Sequence, residues 1–273
     1  MNRTLATIII NALLIATAVL TVIPLLWMIS ASFMPTGEAT VFPPRLLPSH
    51  ATLMHYRELF TRMNFGRTFT NSMIVAVAIT LFSLLLNSMA GYAFAKLRFG
   101  GRDRLFSALV AALVIPTQVA MLPLFLILKT AHLVNSYWGV ILPSMATIFG
   151  IFLIRQFMLS IPDELLDAAR IDGAGEFRIY WSIVMPLARP VLVTLAIFTF
   201  MSAWNDFMWP LIVLTDDAKY TLPVAVANLV GEHVQDTELM MASSVLTVLP
   251  VLILFLALQR HYIAGIMMGG VKG

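Results

Sequence analysis

The sequence predicts an all-α membrane protein with six transmembrane helices and both termini on the cytoplasmic side. Three observations carry that fold class. Of 273 residues, 60% are hydrophobic and 11% charged, whereas a soluble domain has about 45–50% apolar and about 25% charged residues. Windows free of Lys, Arg, Asp and Glu cover 4–37, 68–95, 105–128, 130–154 and 239–259, and a sixth at 190–205 extends to 215 across Asp206. A spanning helix needs about 20 such residues. The positive charges, finally, fall unevenly between the connecting segments.

The expected helices run over 7–31, 69–95, 105–128, 136–158, 187–210 and 239–260. The first follows Met1-Asn2-Arg3. A signal-peptide core is about 7–15 residues long, and this stretch is far longer, so it reads as a retained helix. With the N-terminus inside, the inner segments hold Arg3, Lys96, Arg98, Arg102, Arg104, Arg155, Arg170, Arg178, Arg189, Arg260 and Lys272. The outer ones hold Arg45, Arg57, Arg62, Arg67, Lys129 and Lys219. Lys and Arg favour the cytoplasmic side, and the 96–104 loop, with four of them, weighs most. Trp27, Trp138, Trp204 and Trp209 fall near outer helix ends, where interfacial aromatics collect.

The whole chain, 1–273, reads as one transmembrane domain. Its outer loop, 32–67, contains Pro35, Pro43, Pro44 and Pro48, which forbid a regular helix, although 54–63 has the pattern of a short amphipathic one. It caps the bundle or meets an external partner. A second outer loop, 211–238, holds the apolar run 221–230, too short to span.

The inner loop at 159–186 carries the most information. Pro162 suits a helix start, and Asp163 and Glu164 place negative charge at the positive end of the helix dipole. Leu165, Ala168, Ala169 and Asp172 share one face at helical spacing. Gly173 and Gly175 then end the helix. A helix lying on lipid favours Lys and Arg. This one carries Asp163, Glu164, Asp167 and Asp172 against Arg170 alone, so a protein partner suits it better.

This loop resembles that of permease subunits of binding-protein-dependent ABC importers, which carry E-A-A, three residues, Gly, nine residues, Ile, one residue, Leu-Pro. Here Asp167-Ala168-Ala169 precedes Gly173, Ile183 and Met185-Pro186 at matching spacing, with Asp for Glu and Met for Leu. The chain is also similar to the shorter permease of maltose-type sugar importers at 90–95, 135–139 and 204–211. The ending Gly269-Gly270-Val271-Lys272-Gly273 is similar too, although Met267 stands where that family often has Thr.

The resemblance implies a heteromeric assembly in the bacterial inner membrane: a second permease, two ATPase subunits below, a solute-binding protein outside and a sugar substrate. It implies that the 163–173 helix couples this chain to an ATPase, and that Gly269, Gly270, Val271 and Lys272 in the 261–273 tail touch the ATPase pair. ATP and Mg would be used by those partners. No cofactor is expected in this chain, which lacks a G-x-x-x-x-G-K-[ST] phosphate loop.

Asn71, Gln118, Trp204, Asn205 and Asp206 are candidates for the substrate pathway or for contact with the binding protein. For Asn71, Asn87, Gln118 and Asn11, interhelical hydrogen bonding is the commoner role. Asp206 falls at the outer interface, nineteen residues beyond Leu187, or about 29 Å. Pro116, Pro123 and Pro143 should kink their helices or free backbone carbonyls.

Zero cysteines exclude disulfides and thiolate metal sites. The five histidines have no ligand spacing, and a net charge of +3 argues against nucleic acid. No catalytic constellation is visible, so an enzyme is a weak reading. A self-contained secondary carrier is an alternative, but it often has mid-membrane charges and repeated halves. Glycerol phosphate is an alternative substrate, but an anion site should place Arg or Lys within the spans, and none is visible.

Overall fold

The computed structural model describes residues 3–61, 64–232 and 236–270, and is helical with no β-strand among them. Four helices are long and apolar enough to cross a membrane alone, and two sharply bent pairs raise the number to as many as six. The chain forms two compact units, residues 1–67 with 225–250 and residues 68–224 with 251–273.

In the first unit, α1 (Arg3–Ala31) carries no charged side chain after Arg3. Its Ile10, Leu13, Leu14 and Leu20 are exposed, as suits a surface facing hydrocarbon. The hydroxyls of Thr17 and Thr21 bond back to Leu13 O and Thr17 O, so neither carries an unmet polar group into lipid. The segment after α1 folds against the start of the last helix, α14 (Thr237–Gly270). Buried Glu238 accepts from Ala39 N at 2.7 Å. Glu38 accepts from Arg45 Nη1 at 2.8 Å and from Ser49 N at 3.0 Å. The amphipathic stretch forms α2 (Met54–Thr61). Its His55 is fully buried, with Nε2 2.9 Å from Met34 O. Arg62 and Met63, the end of the predicted helix, lie outside the described residues.

The second unit is built on α3 (Phe65–Lys96), 32 residues long. Beyond the basic turn lie α4 (Arg102–Ala111) and α5 (Thr117–Thr130), bent by 106° to each other. The third predicted helix, 105–128, is therefore not continuous. Pro116 forces Ile115 into an extended conformation, with ψ of 120°, because the proline ring clashes with a helical preceding residue. The fourth divides into α6 (Tyr137–Ser144) and α7 (Ile148–Met158) just after Pro143. At each new start a side chain caps the backbone: Ser136 accepts from Gly139 N, and Thr147 from Gly150 N.

Next come α8 (Asp163–Ile171), α9 (Glu176–Ile179), a π turn over 180–184, and α10 (Met185–Leu187). The stretch 176–187 meets α11 (Arg189–Trp204) at 79°. Pro190 sits in the first turn of α11, where its missing N–H costs nothing. The fifth predicted helix, 187–210, thus stops at Trp204, and the chain restarts as α12 (Met208–Val213). The apolar run at 221–230 becomes α13 (Leu222–Glu232), whose first three residues belong to this unit.

Two cores hold the second unit. One joins Tyr92, Ile154, Met158, Leu166, Ile179 and Leu195, so it ties α3, α7, α8, α9 and α11 together. The other joins Val75, Ile79, Val140, Ile141, Trp209 and Val213. Two predicted interfacial tryptophans belong to the protein interior instead. Trp204 is 1% and Trp209 6% exposed, and the Trp209 indole donates to Gly139 O at 3.1 Å.

Candidate coupling helix and translocation cavity

The α8 loop is held by charges at both ends. At its start, Lys96 at the foot of α3 donates to Ile161 O and to Asp163 Oδ1, each at 2.6 Å. This ammonium holds the Asp163 carboxyl below its ordinary pKa. At its end, Arg170 donates to Asp167 Oδ1 at 2.6 Å and to Glu176 Oε1 at 2.8 Å. Tyr92 donates to Glu176 Oε2 at 2.6 Å. Arg170 first, and Tyr92 second, depress the Glu176 carboxyl.

Between these clamps α8 is short and well capped. Pro162 stands one place earlier than expected, as the extended residue before the first turn. At the other end Gly173 adopts φ of 82°, a conformation that costs a residue with a Cβ about 1–2 kcal/mol. Ala174 N reaches Ala169 O at 2.9 Å and Gly173 N reaches Arg170 O at 3.0 Å. These two bonds form a Schellman closure that satisfies carbonyls the helix leaves open.

Leu166 is the inward anchor, 1% exposed. Ala169, which shares a helical face with Leu165, Ala168 and Asp172, is half-buried and packs against the same core. Leu165, Ala168 and Asp172 stay exposed. Beside them Ile171, Phe177 and Trp181 are also exposed. The sequence reading missed Leu166, Lys96, Tyr92 and Glu176 as the groups that hold the helix. Only the last lay within legible range, as an acid six residues after Arg170.

The second constellation is a cavity of about 360 Å³. Helix α11 contributes Leu195, Phe198, Thr199 and Ser202, and Asp206 follows just past its end. Across from them stand Ser144, Thr147 and Phe149, with Ile79 of α3. Asp206 accepts from Trp209 N at 3.3 Å, which fixes the carboxyl by starting α12. Among the five pathway candidates only Asp206 borders this cavity.

The other four are placed differently. Asn71 donates to Ala218 O and Tyr220 O, both at 3.0 Å, and accepts from Tyr137 at 2.7 Å. It is a buried tie between segments. Asn87 plays a similar part, donating to Ser83 at 2.6 Å and accepting from Thr147 N at 3.0 Å. Trp204 packs between Phe69 and Phe200. Asn205 is exposed and bonds back to Met201 O at 2.8 Å. Gln118 is exposed in the first turn of α5. Within the tail, Gly269 and Gly270 end α14, while Val271 and Lys272 lie outside the described residues.

Comparison with known proteins agrees with this architecture. The chain is 41% identical over 259 residues to the arabinooligosaccharides transport system permease protein AraQ of Halalkalibacterium halodurans, covering 94% of this chain and 93% of the relative. It is 34% identical over 204 residues to the sn-glycerol-3-phosphate transport system permease protein UgpE of Yersinia pestis, covering 74% and 73%. The fold superposes with a TM-score of 0.86, at 23% identity, on a crystal structure of a bacterial ABC transporter involved in the import of the acidic polysaccharide alginate. That match covers 96% of this chain and 99% of the other. Residues 87–267 match the family of binding-protein-dependent transport system inner membrane components. The bent third and fifth helices, the clamped α8 loop and these matches together make the chain a permease of that family.

Proposed function

We propose that this chain forms half of the translocation pathway of an ATP-driven importer for a mono-, di- or oligosaccharide. The observation that carries the reading is α8. It is a capped helix locked to the bundle through Leu166, Lys96 and Arg170, yet it turns Leu165, Ala168 and Ile171 outward. A rigid element with an outward apolar face transmits a push from a soluble subunit. In this reading Asp163, Glu164, Leu165, Asp167, Ala168, Ala169, Asp172 and Gly173 form the ATPase-coupling element, and Gly269 to Lys272 touch the ATPase pair. Both termini face the cytoplasm. A second permease completes the pore, two ATPase subunits hydrolyse Mg-ATP, and a solute-binding protein docks on the opposite side. The 32–67 segment, braced by Glu38 and Glu238, suits that docking surface.

The carbohydrate assignment draws on the arabinooligosaccharide relative, similar along nearly the whole chain. The glycerol-3-phosphate relative supplies the rival substrate. It is disfavoured because Asp206 is the sole charged side chain bordering the cavity among the described residues. An anion needs a positive partner in such a place.

Purification of the tagged chain from its host in mild detergent tests the assembly. A second permease and an ATPase should co-elute. A chain that emerges alone, under conditions that keep other complexes whole, would sink the reading. The chain has no cysteine, so single cysteines at Asp172 and Thr40 report orientation. A membrane-impermeant maleimide added to whole spheroplasts should label the second and spare the first.

A further inference from the structure

We infer that the turn between α3 and α4 binds the phosphodiester headgroup of an anionic phospholipid through the Arg98, Arg102 and Arg104 guanidiniums. The inference is independent of which solute the chain carries.

The turn gathers charge at one point. Lys96, Arg98, Arg102 and Arg104 follow one another closely. Gly101, where the chain turns into α4, has φ of 80°, a left-handed conformation that glycine adopts without steric cost. Arg98, Phe99, Gly101, Arg102, Asp103 and Arg104 line an open hollow of about 560 Å³. Lys96 is engaged outside it, with Ile161 O and Asp163. Arg102 donates to Asp103 Oδ1 at 2.9 Å and to Leu97 O at 3.2 Å, so the one acidic group of the hollow is already neutralised. The Arg98 and Arg104 side chains are exposed. Neither has a hydrogen bond or ion pair among the described residues. Three guanidiniums against one carboxylate leave the lining positive, and guanidinium suits phosphate because it can donate two parallel hydrogen bonds.

Position decides the source of the phosphate. Past Arg104 the chain has no Asp, Glu, Lys or Arg until Lys129, and Leu105, Leu113, Val114 and Ile115 are exposed. On the other side of the turn, α3 exposes Leu81, Leu85 and Met89 before it reaches Lys96. The hollow thus lies where apolar surface gives way to cations. Phe99, exposed and beside Phe94 with centroids 5.9 Å apart, stands at this border, as interfacial aromatics do. A phospholipid satisfies both halves, with its phosphate on the guanidiniums and its chains along the leucines. A soluble phosphate uses only the first.

The test uses the intact complex as purified from its host, placed in phosphatidylcholine nanodiscs. A trace of phosphatidylglycerol with a photoreactive acyl chain is included, and photoreactive phosphatidylcholine serves as the reference. After irradiation, mass spectrometry of peptides reads where each lipid attaches. Phosphatidylglycerol should label 97–111 well above the reference. Unlabelled phosphatidylglycerol should suppress that labelling, and inorganic phosphate at constant ionic strength should not. Arg98→Gln and Arg104→Gln should each lower the preference about three- to tenfold. Arg189→Gln, an exposed cation at the start of α11, should leave it unchanged. Equal labelling of 97–111 by the two lipids overturns the site. So does an equal loss in the Arg189 variant, since diffuse surface charge then explains the binding. Displacement by inorganic phosphate overturns the lipid as ligand. The labelling and competition in wild type decide the matter where a variant proves unstable.

Discussion

Arg170 Nε lies 2.8 Å from Glu176 Oε1, and this contact joins the end of α8 to the start of α9. The same guanidinium holds Asp167, while Tyr92 of α3 holds the other Glu176 oxygen. The loop is thereby connected to the longest helix of the second unit. Arg170 and Glu176 are 35% and 45% exposed, and isolated pairs of that kind contribute about 0–1 kcal/mol. The effect of the network is to set where α8 points.

The depressed Glu176 and Asp163 carboxyls give this attachment a pH dependence. A carboxylate whose folded pKa is lowered contributes stability above its unfolded pKa, about 4, and loses it as pH falls through the folded value. The hydrogen-exchange protection factor across 163–176, taken relative to the base-catalysed intrinsic rate, should therefore be flat between about pH 5 and 8. Protection should drop only below about pH 4. Glu176→Gln should bring faster exchange at neutral pH. A loop that loosens near pH 6 would show that other groups control it.

Gly173 offers a sharper test of coupling. Proline fixes φ near −65° and removes the N–H that reaches Arg170 O, so Gly173→Pro cannot close α8. The protein should reach the membrane, yet lose the ATPase or hydrolyse ATP without uptake. Gly173→Ala meets no neighbouring atom and should cost only about 1–2 kcal/mol, with partial activity. Wild-type uptake by the proline variant would remove α8 from the coupling role.

Asn71 should behave as a structural residue. Asn71→Leu removes the partner shared by Ala218 O, Tyr220 O and the Tyr137 hydroxyl, and each hydrogen bond lost contributes about 0.5–1.5 kcal/mol. Thermal stability in detergent should fall while sugar affinity per folded complex is unchanged. A selective change in substrate preference would instead place it in the pathway.

At Gly91, α3 lies close against α7. A Cβ there would stand 2.6 Å from Ile154 Cγ2 and 3.1 Å from Arg155 N. Gly91→Ala should force the helices apart at about 1–3 kcal/mol. Combining it with Ile154→Ala, which removes the clashing Cγ2, should cost less than the sum of the two single variants, as measured by melting temperature.

Much of the architecture was legible in one dimension. The apolar windows place the spans, and Pro116 and Pro143 mark two of the breaks, because a missing N–H and a locked φ act on immediate neighbours, whereas Pro123 lies inside the continuous α5. The α8 loop was legible for the same reason: its acidic first turn and Gly173 are local signals. Asp206 could be singled out because a carboxylate beside an apolar run is conspicuous. Ser144, Thr147, Phe149, Phe198 and Ser202 were not, since hydroxyls and phenylalanines are ordinary in spans and nothing local marks a cavity wall.

By itself, then, the sequence determined the helical class, the approximate place of the apolar segments and the capped helix that ends at Gly173. Tertiary structure alone decided which polar groups meet. Tyr92 reaches Glu176 and Asn71 reaches Tyr220 across separations of 84 and 149 residues. Such pairs depend on how bent helices pack, and packing is set by the summed fit of many side chains. It also turned Trp204 from a surface anchor into a core residue, because Phe69 and Phe200 close over it. Hydrophobicity shows that a side chain leaves water. Only packing shows whether it enters lipid, protein or the wall of a cavity.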